Sequence, residues 1–76
     1  MFDRITSNPA ILGGKPIIRG TRISIEFILD LLASGATGDL VIKQYPQLTI
    51  SDVQQALQYA AASVRSEVLL HAEIAG

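Results

Sequence analysis

Four cations stand against one anion in the first 22 residues: Arg4, Lys15, Arg19 and Arg22 against Asp3, a local balance of +3. The remaining chain carries Lys43 and Arg65 against six carboxylates, Glu26, Asp30, Asp39, Asp52, Glu67 and Glu73, a balance of −4. Such a split predicts two surfaces with different roles, against the plainer reading of scatter in a short chain. Lys15, Arg19 and Arg22 lie among glycines and a proline, where the backbone can bring cations close to phosphate oxygens. The alternative reading is a solvated basic hairpin, or ion pairs with the acidic body. Gly13-Gly14-Lys15 is not a nucleotide-binding P-loop. That motif needs a glycine where Pro9 stands and Ser or Thr where Pro16 stands. The glycines fit a tight turn with positive φ instead.

Other chemistry is thinly supplied. Glu26 and Asp30 sit one helical turn apart, a mildly repulsive pair that either meets a positive partner or faces water. His71 is the only histidine, with Glu73 nearby and no cysteine anywhere in the chain. A metal ligand set or an acid–base couple is therefore not expected. No histidine falls in the folded body to activate a serine. We expect neither a cofactor nor a catalytic residue.

These residues must be held by a small scaffold. Seventy-six residues, 49% hydrophobic and 17% charged, make one domain with apolar surface to spare. A partner, including a second copy, is the expected cover for that surplus. Net charge −1 argues against binding nucleic acid by charge alone. No apolar run approaches the ~20 residues of a bilayer span, and Met1-Phe2-Asp3-Arg4 does not open a secretory leader. A cytoplasmic protein with no membrane role is expected.

Residues 1–23 read as an extended arm, with turns at Asn8-Pro9, Gly13-Gly14 and Gly20 and with the short pieces Ile17-Ile18 and Thr21-Arg22-Ile23 as edge strands or a hairpin. Residues 24–64 read as a three-helix body. Ser24 caps a first helix ending near Gly35, whose broad apolar arc predicts burial on two sides. A short second helix follows Thr37 and stops at Pro46. Thr49 and Asp52 form a capping-box-like pair opening the third helix. There Ile50, Val53, Leu57, Ala60, Ala61 and Val64 read as one core stripe. Running on through His71, this helix would be about 35 Å long at 1.5 Å per residue, and residues 65–76 form its extension. The expected fold is mainly α: a helix-turn-helix, homeodomain-like bundle with an N-terminal β arm.

With Val53 taken as the inward direction, Ser51, Gln55, Gln58 and Ala62 point outward on the third helix. Glutamine pairs with adenine N6 and N7, which makes Gln55 and Gln58 candidate base readers. The helix carries no Lys or Arg before Arg65, unlike an ordinary recognition helix. Solvated polar side chains are the alternative. Val68, Leu69, Leu70 and Ile74 lie beyond any local core and read as anchors of a protein-binding tail.

The run Ile11-Leu12-Gly13-Gly14-Lys15-Pro16-Ile17-Ile18-Arg19-Gly20-Thr21-Arg22-Ile23-Ser24, with Gly35, Tyr45-Pro46-Gln47-Leu48-Thr49 and Asp52-Val53, closely resembles a prokaryotic family of unknown function, number 433. The resemblance covers residues 5–61 and leaves residues 62–76 outside it. It implies a dimeric helix-turn-helix module with a β arm. It further implies similarity to VapB-like antitoxins, which neutralise a PIN-like ribonuclease toxin and bind operator DNA. It carries over no catalytic residue. A stand-alone dimeric DNA-binding regulator and an adaptor without DNA binding remain alternatives.

Overall fold

A computed structural model describes the backbone of residues 2–75 and the side-chain surroundings of residues 2–65. It contains two short strands, β1 (Ile5–Thr6) and β2 (Ile17–Ile18), and three helices, α1 (Ile25–Ala33), α2 (Gly38–Gln44) and α3 (Ile50–Ala75).

The strands pair antiparallel, with Ile5 opposite Ile18 and Thr6 opposite Ile17. The partner of β2 is thus the start of the chain, not Thr21-Arg22-Ile23 as the β-branched run predicts. The reason is local. Gly20 adopts φ +80°. Thr21 Oγ1 donates to the Ile18 carbonyl at 2.8 Å and accepts from Ile23 N–H at 3.0 Å. That hydroxyl holds residues 20–23 in a turn and leaves only a bridge between Ser24 and Ile17. Between the strands, Leu12, Gly13 and Gly14 form one tight left-handed turn with φ of 50°, 65° and 86°.

Each helix starts where a hydroxyl caps it. Ser24 Oγ accepts from Phe27 N–H, and Thr37 Oγ1 accepts from Leu40 N–H. Helix α1 ends in a Schellman closure: Ala36 N–H reaches the Leu31 carbonyl and Gly35 N–H the Leu32 carbonyl, with Gly35 at φ +107°. At α3, Thr49 N–H donates to Asp52 Oδ2 at 2.9 Å while Asp52 N–H donates to Thr49 Oγ1 at 3.2 Å. This is the expected capping box.

Ile18, Ile25, Ile28, Val41, Leu48, Val53 and Ala56 form the buried core. Full burial of each large aliphatic contributes about 1.5–3 kcal/mol before entropy is charged against it. Helix α3 turns only part of its expected stripe inward. Asp52, Val53 and Ala56 are buried, while Ile50, Leu57 and Val64 are 43%, 48% and 46% exposed. The inward aspartate rotates the core face away from the row that hydrophobicity alone selects. Nor is α1 covered on both sides in the single chain, because Phe27 remains 38% exposed. Among the described residues, no helix is long and apolar enough to cross a membrane.

Candidate macromolecular interface

The site begins with Asp52, whose side chain is completely buried. Arg4 Nε donates to Asp52 Oδ1 at 2.7 Å, and Arg4 Nη2 lies 3.5 Å from Oδ2. Burial pushes the Asp52 carboxyl up, but Arg4 and the Thr49 N–H outweigh it and hold the group below its ordinary value. Arg4 is correspondingly raised by its hydrogen bond to Asp52.

One helical turn further along α3, Gln55 completes the clip. Its Oε1 accepts from Arg4 N–H at 3.0 Å and its Nε2 donates to Asp3 Oδ1 at 2.8 Å. That amide is the foremost cause of the lowered Asp3 pKa. Another turn on, Tyr59 meets Phe2 edge to face, with ring centres 5.5 Å apart. Positions 52, 55 and 59 share one helix face, and the N-terminal arm lies along it.

Gln55 is therefore engaged within the chain at both ends of its amide. Ser51 and Gln58 are exposed, as their spacing predicts, and so are Gln54 and Arg65. With the core direction set by Asp52, Val53 and Ala56, the face opposite holds Ser51, Gln54, Gln58 and Arg65. Gln54 is the residue that the sequence reading missed. Only the inward turn of Asp52 reveals it, and the helical period taken from Val53 does not.

The three arm cations have different surroundings. Lys15 Nζ donates to Glu26 Oε1 at 2.8 Å, which raises Lys15 and lowers Glu26. Both partners are well exposed, so the bond is heavily screened. Glu26 thus meets a cation, one of the two readings its pairing with Asp30 left open. Arg19 Nε donates to the Asp3 carbonyl at 3.0 Å. Arg22 makes no hydrogen bond or ion pair among the described residues and borders two surface clefts, of about 450 and 520 Å³. The first is shared with Leu12, Lys15 and Phe27, the second with Ser7, Asn8 and Pro9. Val68, Leu69, Leu70 and Ile74 lie outside the residues whose side chains are described.

Fold and site together define a three-helix module with a β arm clipped onto its last helix. The chain belongs to the DUF433 family of proteins of unknown function, whose pattern it matches over residues 5–60. It is 34% identical over 59 residues to the uncharacterized protein y4eO of Sinorhizobium fredii (strain NBRC 101917 / NGR234). That match takes in 78% of this chain and only 27% of the relative, so the chain spans about a quarter of that protein's length. The crystal structure of a DUF433 member from Anabaena variabilis superposes with a TM-score of 0.74 at 29% identity, covering 96% of this chain and 69% of the other.

Proposed function

We propose that this chain is an antitoxin-like protein of a type II pair: a homodimer that contacts operator DNA and neutralises a PIN-like ribonuclease by direct binding. The observation that carries the DNA half is the outer face of α3. After the short α2 and a tight turn, α3 presents Ser51, Gln54, Gln58 and Arg65 with no carboxylate among them. That arrangement supports a helix-turn-helix reading, with exposed amides available to pair with base edges. Arg22, without a hydrogen bond or ion pair among the described residues, and the remaining nitrogens of Arg19 supply phosphate contacts from the arm. The toxin half rests on the family resemblance and on the tail, where Val68, Leu69, Leu70 and Ile74 accompany Glu67 and Glu73. Apolar anchors with acidic neighbours suit a basic, RNA-handling partner.

A stand-alone dimeric regulator is the nearest alternative. An adaptor without DNA binding is favoured by one observation, the capture of Lys15 by Glu26. Fluorescence anisotropy on labelled duplex DNA over a salt series separates these readings. We expect weak, steeply salt-dependent binding that falls for all sequences when Arg19 and Arg22 are replaced by glutamine. Absence of binding at low salt leaves the adaptor. Co-purification with the product of the adjacent open reading frame tests the toxin half: truncation after Arg65 should keep the body folded and weaken capture. Equal capture by both forms removes the tail from that interface.

A further inference from the structure

Helix α3 carries no charged side chain from Val53 to Val64, twelve consecutive residues, although half of them or more face outward. Solvent-facing helices normally carry charge, and this one presents an apolar row instead. Ile50, Leu57 and Val64 recur every seven residues and are each more than two-fifths exposed. A seven-residue repeat keeps side chains on one seam of a helix, the spacing by which helices pair. Ala61 lies on the same face between Leu57 and Val64, and its small side chain permits close approach of a second backbone.

Beside this row runs a groove of about 310 Å³ between α1 and α3, walled by Pro16, Ile25, Leu29, Ala60 and Val64. Val64 belongs to both row and groove. The two features therefore adjoin on one surface, and a two-fold axis would lay each copy's row into the other's groove. That self-complementarity is the requirement of an isologous contact.

Charge selects the occupant. The charged residues lining the groove are Lys15 and Glu26, which neutralise one another at 2.8 Å. An acidic or basic partner finds no unmatched charge there to recognise. A second copy brings an equally uncharged row, and a net charge of −1 per chain sets little repulsion between copies.

We propose that the Ile50–Leu57–Val64 row of α3, with the adjoining α1–α3 groove, is the homodimer interface. This deepens the dimeric reading above and rests on it. The face lies apart from the Ser51, Gln54, Gln58 and Arg65 row only by part of a helical turn, so pairing would set two such polar rows at a fixed separation.

The test is light scattering of the full chain at micromolar concentration, alongside Leu57→Glu and Val64→Glu. Wild type should show twice the 8.1 kDa chain mass. Each variant should weaken dimerisation roughly a hundredfold or more, because pairing would bury two unpaired carboxylates. Circular dichroism should show unchanged helicity, since both positions are half exposed in the single chain. Ala61→Cys provides a readout free of destabilisation, because position 61 is exposed, and an unambiguous one, because the chain has no other cysteine. Under mild oxidation it should cross-link between copies, and Lys43→Cys on exposed α2 should not. A wild-type monomer overturns the interface together with the dimeric reading. A dimer that survives both glutamates, or an Ala61→Cys chain that fails to cross-link, overturns this face and leaves dimerisation to another.

Discussion

Replacing Asp52 is the sharpest perturbation of the arm–helix clip. Its carboxylate is fully buried and serves two tasks: it closes the capping box with Thr49 and receives Arg4 from 48 positions away. Asp52→Ala removes the cap bond, about 1 kcal/mol, and a charge-assisted hydrogen bond, about 1.5–3 kcal/mol. Arg4 is 38% exposed, so water takes over part of its solvation and the lower figure applies. The expected loss is about 2.5 kcal/mol, from a total of about 4–11 kcal/mol for a chain of this length. At about 4–8 °C per kcal/mol, the melting midpoint should fall about 10–20 °C. Asp52→Asn keeps an oxygen for the cap but turns its NH2 toward the Arg4 donor, so it loses the charge-assisted bond and should cost about 1.5 kcal/mol.

The pH dependence checks the cause. Because the folded-state pKa of Asp52 is depressed, its contribution is present above the ordinary carboxylate value of about 4 and is lost as pH falls through the folded value. Wild type and Asp52→Asn should therefore converge in acid and diverge near neutrality. Urea titrations followed by circular dichroism, at one protein concentration, measure this. An Asp52→Asn chain as stable as wild type at neutral pH, or a gap that does not close in acid, would refute the ion-pair account.

Gly38→Ala should stabilise by about 0.5–1 kcal/mol through helix propensity. Its new Cβ would meet Val53 Cγ1 at an ordinary 3.6 Å and Ile50 Cδ1 at a tight 3.1 Å, the latter the free end of a 43%-exposed side chain, and a lower melting midpoint would show that Ile50 cannot yield. Leu12→Gly should raise stability by about 1 kcal/mol, because leucine at φ 50° is held in the left-handed region. A fall in a denaturant titration would mean that Leu12 packing outweighs the strain. Glu26→Gln should leave the thermal midpoint unchanged within error, since its bond to Lys15 is exposed; a clear drop would assign that pair a structural role.

The elements and their ends depend on local chemistry and are legible in the residues themselves. Ser24, Thr37 and Thr49 lie within three residues of the N–H groups they cap, and Gly35 supplies the positive φ that closes α1. The arm, the three helices and the extended α3 follow from such short-range rules. The orientation of those elements does not. Arg4 and Asp52 look like separate surface charges until the fold joins them, and Gln55 looks like an outward reader until Asp3 and Arg4 engage it. Hydrophobic periodicity assumes that the inward face of a helix is its most apolar one. In α3 a buried carboxylate, held by a cation from the other end of the chain, turns that face. Ile50, Leu57 and Val64 are thereby displaced to the surface and Gln54 takes the outer row. Local spacing has no access to a contact 48 residues long, and so only the tertiary structure could decide which side of α3 faces outward.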